Sequence, residues 1–250
     1  IMAATIYYDN VSSRSATLTD GTGASSFSSS DSLTNEERAT DGDITQTIGS
    51  YALNDALQFN LGSAIDLDFA AIYFTTATSN DVKVRRGSSS GTYHSTANTL
   101  ADAVVGWNIR TLSADAYQYR TFVATQGTLD GVSEIFMGNA LTLPIAPTAN
   151  IITEHKFGTE EVKAHGANRY YISKHDNYKI LTLSLDHMTT ANKTSMLTFS
   201  NTVTDREPFI YSEDGTTGPY HWVRLVRPLT FRMVAPNIWS CQVVMRELTS

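Results

Sequence analysis

The sequence predicts a mainly β chain built as two folded units, and three observations carry that reading. Charged residues make up only 17% of the chain and apolar ones 41%, with Ser, Thr, Asn and Gly abundant, which is the composition of short strands joined by polar turns. Short apolar runs recur between turn clusters along the first half. Near the middle, Pro144 and Pro147 interrupt the chain, and two prolines so close together disfavour both a helix and a central strand.

The prolines set the expected boundaries: a unit over residues 1–143, a short stiff linker over 144–149, and a unit over 150–250. The two sides differ in habit, with Ser and Thr dominating before the linker and His, Arg and Tyr gathering after it. In the first unit the expected strands are Ala56–Leu61, Phe69–Thr75, Val82–Val84, Arg120–Val123 and Ser133–Met137. Their spacing of about 10 to 20 residues, with Gly, Asn, Asp and Ser between, is the pattern of a β-sandwich. The Ser-, Gly- and Thr-rich stretch Leu18–Ser32 reads as a long surface loop.

In the second unit Leu181, Leu183 and Leu185 recur every second residue, which places them on one face of a strand. Met196, Phe199 and Val203 recur at helical spacing after the capping candidates Asp186 and Thr189, so a helix is expected over about 189–203. The pattern then returns to strands at His221–Val226, Leu229–Val234 and Ile238–Glu247, with a turn at Glu213–Thr216.

Charge excludes some partners. The net charge is −7 with a pI near 5.3, a field that repels phosphate backbones, so nucleic acid is not an expected partner. No run approaches the roughly 20 apolar residues of a membrane helix, so no membrane insertion is expected. The opening residues carry no basic-then-apolar pattern, and no export address of that kind is expected. The single cysteine, Cys241, rules out an internal disulfide. It alternates with Trp239, Val243 and Met245, which reads as a buried structural thiol.

No catalytic constellation emerges. The spacings of His155, His165, His175, His187 and His221 match no zinc signature, and they read as scattered surface or interface residues. Neither a nucleophile elbow nor a phosphate-cradling glycine loop is present. The adjacent pairs Glu36/Glu37 and Glu160/Glu161 would point to opposite faces of a strand, unlike a glycosidase pair. The expectation is a binding protein and not an enzyme.

Four motifs of the first unit occur in a telling order: Arg38-Ala39-Thr40-Asp41-Gly42-Asp43-Ile44-Thr45-Gln46-Thr47, then Leu57-Gln58-Phe59-Asn60-Leu61-Gly62-Ser63, then Val82-Lys83-Val84 and Trp107, and finally Val132-Ser133-Glu134-Ile135. In that order they resemble the discoidin or galactose-binding-like sandwich (a jelly roll), whose members include family-32 carbohydrate-binding modules, over residues from roughly 5 to 143. The resemblance implies a structural calcium held by Asp41, Asp43 and the Thr45 hydroxyl, with Glu134 as remote ligand. Asp-Gly-Asp is equally the sequence of a plain turn. The resemblance further implies an apical glycan site, for which Tyr93, His94, Trp107 and Tyr117 are the aromatic candidates and Arg85 or Arg86 the bidentate donors. The competing readings are Trp107 as a core residue and Tyr93 with His94 as decoration of a Gly/Ser-rich hairpin.

The second unit resembles the distal and minor structural proteins of bacteriophage tail tips. The residues that carry this are the strand–helix pair Leu181–Val203, the Glu207-Pro208-Phe209-Ile210 turn, the strand Trp222-Val223-Arg224-Leu225 and the closing run Ile238–Leu248. It implies a virion baseplate ring built from copies of the chain and other tail proteins, presenting the sandwich to a cell-surface glycan for host attachment. Arg224, Arg227, Arg232 and Arg246 would then be interfacial; the alternative is a solvated strand face. The alternative for the whole chain is an extracellular, lectin-like bacterial carbohydrate-binding protein, or a scaffold that binds no sugar.

Overall fold

The computed structural model describes residues 4–14, 17–22, 28–29, 34–49, 53–76, 81–90, 97–100, 104–113, 115–125, 127, 130–143, 152–157, 159–163, 169–173, 177–215 and 218–248. Its first ten strands are β1 (Thr5–Tyr8), β2 (Thr17–Thr22), β3 (Ser28–Ser29), β4 (Asp55–Ile65), β5 (Phe69–Phe74), β6 (Val82–Gly87), β7 (Ala97–Leu100), β8 (Gly106–Thr111), β9 (Tyr117–Ala124) and β10 (Val132–Thr142). The rest are β11 (Ile152–Lys156), β12 (Thr159–Lys163), β13 (Arg169–Ser173), β14 (Tyr178–Met188), β15 (Phe209–Ser212), β16 (Tyr220–Leu225), β17 (Thr230–Ala235) and β18 (Ile238–Glu247). One turn of helix, α1 (Val11–Arg14), a 3-10 turn at Glu36–Thr40, and one long helix, α2 (Thr190–Val203), complete the described elements. The chain divides into two compact units, Tyr7–Ala140 and a second made of Ile1–Ile6 with Leu141–Thr249. The expected proline linker lies outside the described residues.

The first unit is a β-sandwich. One layer holds β10, β5 and β8 side by side, and the other is a six-stranded antiparallel sheet in the order β3-β2-β4-β9-β6-β7. Strand pleating sends alternate side chains to opposite faces, so β4 turns Leu57, Phe59 and Leu61 inward, β6 turns Val82 and Val84, and β9 turns Phe122 and Ala124. They meet Ala70, Ile72, Phe74, Ile135 and Met137 from the opposing layer in a single apolar cluster. Phe59 and Phe122 cross edge-to-face at its centre, 5.7 Å apart.

The expected loop over Leu18–Ser32 is in part a strand. Residues Thr17–Thr22 form β2, paired along β4 from Thr17↔Asn60 to Thr22↔Asp55. Leu18 is the side chain of this segment that packs against the core, so hydrophobic periodicity gave no signal; the free backbone edge of β4 supplies the partner.

The β10-β5-β8 layer is buried on its second face as well. Tyr7, Phe69, Phe136, Trp107 and Tyr73 form a row of ring contacts there, with centroids 4.9, 5.4, 6.2 and 5.3 Å apart in sequence along the row. Strands buried on both faces read as near-continuous apolar runs, as Phe69–Phe74 does.

In the second unit the strand order is β11-β14-β18-β16-β15, with β17 also paired to β18, and β12 pairs separately with β13. The register Leu181↔Met245, Leu183↔Val243 and Leu185↔Cys241 stacks one apolar face, continued by Leu225↔Met245 and Phe209↔Val223. Helix α2 covers that face. Its buried residues are Met196, Phe199 and Val203, and the Phe199 ring meets Phe209 edge-on at 5.1 Å. The helix is poor in strong helix formers, and the hydroxyls of Thr194, Ser195, Thr198 and Thr202 each donate to the carbonyl four residues back. It therefore depends on tertiary packing and on its cap, where Thr189 Oγ1 accepts from the Asn192 amide. Cys241 is a free, buried thiol, and burial pushes it up to about 11, consistent with a packing role.

One position in the sandwich tests this packing directly. Gly138 on β10 passes so near the preceding chain that an added Cβ would stand 2.2 Å from the Tyr8 carbonyl oxygen and 2.4 Å from that of Asp9. Because both obstacles are backbone, Gly138→Ala is expected to destabilise the protein by about 3 kcal/mol, measured by urea denaturation.

Candidate functional site

Strand direction separates the sandwich into two ends. A three-residue turn, Asp66–Asp68, joins the close of β4 to the start of β5, so Ile65, Tyr117 and Gly87 lie at one end, linked by Ile65↔Tyr117 and Gly87↔Tyr119. Phe74↔Val132 and Val82↔Ala124 mark the other end. Each end gathers ionisable side chains in a different way.

At the Val132 end stands the Asp41-Gly42-Asp43 loop, just after the 3-10 turn. Gly42 has φ 80 with open space around its Cβ position, so glycine is needed there for its backbone angle. Its amide donates to Glu134 Oε2 at 3.0 Å. The loop is also closed on itself. Asp41 Oδ1 accepts from the Asp43 amide at 2.8 Å, Asp43 Oδ1 accepts from the amide and hydroxyl of Thr45 at 2.9 and 2.6 Å, and Asp43 Oδ2 accepts from Gln46 Nε2 at 2.9 Å. Those bonds from Thr45 and Gln46 hold the Asp43 carboxyl below its usual range.

Glu134 is the unusual group. It is fully buried, and its Oε1 has no hydrogen-bond partner. Burial pushes its carboxyl up to about 9, with Asp41 and Asp43 adding to the rise and the Gly42 amide and Asn10 side chain opposing it. The donors assembled here are hard oxygens, the type that suits calcium, and an orphaned carboxylate oxygen is a place where a cation would be accommodated. Asp43 and the Thr45 hydroxyl are engaged within the loop, and among the described residues no three His, Cys, Asp or Glu side chains are gathered as a metal centre.

At the Gly87 end the structure assembles a cluster that the sequence showed only in part. Arg86 and Arg120 face each other across β6 and β9. Arg86 pairs with Asp115, and its guanidinium lies 5.0 Å from the centre of the Tyr117 ring; that of Arg120 lies 5.6 Å from it. Arg120 is 2% exposed and donates from Nη2 to the Asp115 carbonyl at 2.7 Å. Burial, then the neighbouring Arg86 charge, lowers its pKa to about 10. The Nε groups of both arginines are buried with no partner. Arg120 and Asp115 were absent from the sequence-based candidates. The signal was available for Arg120: it shares its parity with Phe122 and Ala124, so a charge was pointing toward the core.

The remaining candidates fall as follows. Arg85 is half-buried on the opposite face of β6 from Arg86, across from Thr121. Thr121 Oγ1 accepts from Gln58 Nε2 there at 3.1 Å. Trp107 is 5% exposed, inside the aromatic row, with Tyr73 and Phe136 against its ring; it is a core residue, and the expectation of a sugar platform is corrected by that burial. Guanidiniums occupy the space over Tyr117, so it too is no bare platform. Tyr93 and His94 lie outside the described residues, as do His165 and His175.

In the second unit Arg224, Arg232 and Arg246 point away from the face that α2 covers. Arg224 sits directly opposite Arg246, and Arg246 lies 3.9 Å over the Tyr178 ring. Arg227 donates to Gln242 Oε1. His221 is not a scattered surface residue. Its Nδ1 meets Glu247 Oε1 at 3.0 Å and its Nε2 meets Glu213 Oε1 at 3.2 Å, while Lys179 reaches Glu247 Oε2 at 3.0 Å. Burial works against the Glu247 charge, yet His221 and Lys179 hold its carboxyl below the usual range.

Glu134 gives a pH dependence whose sign can be worked out. The folded carboxyl keeps its proton up to about 9 while its ordinary value is 4.5, so between those values the folded state binds more protons than the unfolded one. Stability from this group is fully present below the lower value and is lost as pH rises through the window. In calcium-free buffer, urea melts from about pH 5 to about pH 9 should therefore show a decline, at most about 1.4 kcal/mol per pH unit, that Glu134→Gln flattens.

No family model and no curated protein matches the chain. Among solved structures it is similar to chitosan-binding module 1 of a chitosanase/glucanase from Paenibacillus sp. IK-5, at 18% identity over 53% of this chain and 100% of that one, TM-score 0.38. It is similar to the lectin binding domain of Lectinolysin, solved with Lewis b, at 13% identity over 53% and 96%, TM-score 0.39. A third is the family 32 carbohydrate-binding module of C. perfringens NanJ, solved with galactose, at 16% identity over 55% and 99%, TM-score 0.37. At such scores these likenesses carry no argument, and the β-sandwich stands on its own sheets and core.

Proposed function

We propose that the sandwich is a galactose-binding-like, glycan-recognising module and that the chain acts outside cells by binding, without turnover. The observation that supports this best is the Gly87-end cluster. Arg86, Arg120 and Asp115 are held by one another and by Tyr117 at the rim of the sandwich, so fixed charged donors and a carboxylate acceptor are pre-organised where loops leave the sheet. Sugar hydroxyls are recognised by such fixed donors and acceptors. The segment after β6 begins at this rim, and in chain order it carries Tyr93 and His94. The order of the four sequence motifs supports the same reading.

In that reading calcium is a structural ion of the opposite end. Glu134 and Asp41, with the loop that contains Asp43 and Thr45, would hold it, and the ion would give Glu134 Oε1 the partner it lacks and favour its ionised form. The residues fit a calcium ion in donor chemistry, and its role would be to brace the loop.

A second reading places the chain in a bacteriophage tail tip, where the second unit packs into a ring with other copies and other tail proteins and the sandwich meets the host surface. It is supported by the exposed apolar side chains on outer strands β11 and β17, namely Ile152, Met233 and Val234, and by the outward arginines.

Calorimetric titration of the whole chain, guided by a glycan array, tests the first reading. Binding of a neutral glycan should weaken about tenfold or more in Arg86→Gln, and an unchanged affinity would place the site elsewhere. Millimolar calcium should raise the melting temperature by about 5 °C in the parent and leave Glu134→Gln unmoved. Sedimentation velocity tests the second: a discrete ring mass is expected for an assembly subunit, and a monomer at high concentration speaks against it.

A further inference from the structure

The outer face of the second unit's sheet holds a hollow of about 410 Å³ between β14, β18 and β17, within the size range of small-ligand sites. Its floor is a polar row. Ser184 lies opposite Gln242, which lies opposite Thr230, and Arg232 lies opposite Ser240. Arg227 enters from the side and is tied to Gln242.

Asp186 arrives by a different route. Pairing runs Leu185↔Cys241 and then skips to Met188↔Trp239, so Asp186 and His187 together stand opposite the single residue Ser240. That is a β-bulge, and His187 has φ 62, an angle that non-glycine residues seldom adopt. Bulges re-aim side chains and gather beside functional sites. Here the bulge delivers a carboxylate to the hollow that also receives Arg227 and Arg232. Arg232 and Asp186 make no hydrogen bond or ion pair with any described residue, although each is drawn to the opposite charge.

The chemistry of these groups narrows the ligand. Two guanidiniums take a carboxylate or sulfate. An ionised Asp accepts only, so a bare oxyanion leaves Asp186 without a donor, whereas a hydroxyl satisfies it. Hydroxyls and an amide line the floor, and among the described residues no aromatic side chain lines it as a platform for a base or a flat ring. We propose that this hollow is a binding site for an anionic sugar, its carboxylate or sulfate on Arg227 and Arg232 and its ring hydroxyls on Asp186, Ser184 and Ser240. The site is separate from the sandwich and does not depend on the reading given to it.

The test is calorimetric titration of the whole chain with D-glucuronate, D-glucose and inorganic sulfate. Glucuronate should bind about tenfold or more tightly than either of the others, because only it offers both anion and hydroxyls. Arg232→Gln should weaken glucuronate about tenfold, and Asp186→Asn should reduce the gap between glucuronate and sulfate. Arg232 is exposed and unpaired among the described residues, so its variant should melt as the parent does. Arg86→Gln should leave glucuronate binding unchanged, which separates this site from the sandwich. The proposal is overturned if glucuronate does not bind, if it binds no better than sulfate, meaning an adventitious ion only, or if Arg232→Gln leaves its affinity unchanged.

Discussion

Everything in the first unit depends on one shared apolar layer between two sheets. The alternate residues of β4, β5, β6, β9 and β10 must all face it, and pleating leaves no freedom in which ones they are. The layer is dry and close-packed, so a charge that falls on an inward position must lie where the layer ends. Arg86 follows Val84 and Arg120 precedes Phe122 on inward parity, and both lie beside the last paired residues of their strands. Their partners are local for the same reason: Asp115 and Tyr117 come from the segment that enters β9. The candidate glycan-binding cluster is thus a consequence of closing the sandwich with charged residues in register.

The two ends resolve buried charge differently. At the Gly87 end the guanidiniums are compensated by neighbours: the Asp115 carboxylate pairs with Arg86, the Asp115 carbonyl accepts from Arg120, and the Tyr117 ring adds attraction. At the Val132 end Glu134 accepts from the Gly42 amide, has the Asn10 side chain beside it, and faces the carboxylates of Asp41 and Asp43. Neutralisation by a proton is the alternative open to a carboxyl so placed, and burial makes the proton the preferred partner. A hard cation would replace the proton in that role. On the calcium reading proposed above, proton and cation would compete for one oxygen-rich position, and the stability of the loop would follow whichever is bound.

How much of this was legible in the sequence divides along one line: what is local in the chain could be read, and what depends on register could not. Period-two runs such as Leu181–Leu185 and the helical spacing of Met196, Phe199 and Val203 became β14 and α2, and the apolar runs of the first half became β4, β5, β6, β9 and β10. Strand β2 was missed because Thr17–Thr22 has no apolar alternation and borrows its pairing from β4. Trp107 was ambiguous because an aromatic on a strand looks the same whichever face it takes; pairing with β5 put it against Tyr73. The Asp-Gly-Asp loop was visible, but the isolation of Glu134 Oε1 was not, since it depends on what happens to be packed around it. The bulge at Asp186 is likewise a property of the β14–β18 register and leaves no mark in composition.

The second unit turns the same pleat to another use. One face of its sheet is covered by a helix of low intrinsic stability, which costs few specific residues beyond Met196, Phe199 and Val203. The other face has no such cover among the described residues of the unit, and arginines gather there in twos: Arg224 across from Arg246 on paired strands, and Arg227, from the β16–β17 connection, in the same hollow as Arg232. Like charges facing each other across strands are unfavourable, and among the described residues neither Arg224 nor Arg246 has a carboxylate within ion-pair distance; stacking on Tyr178 holds one of them. Sheets that serve purely as scaffold have no reason to keep such pairs, because alternating signs would be more stable. Around the hollow the same imbalance recurs, with Arg232 and the bulge-borne Asp186 unpaired among the described residues, and on the anionic-sugar proposal the ligand would supply the negative charge that Arg227 and Arg232 lack.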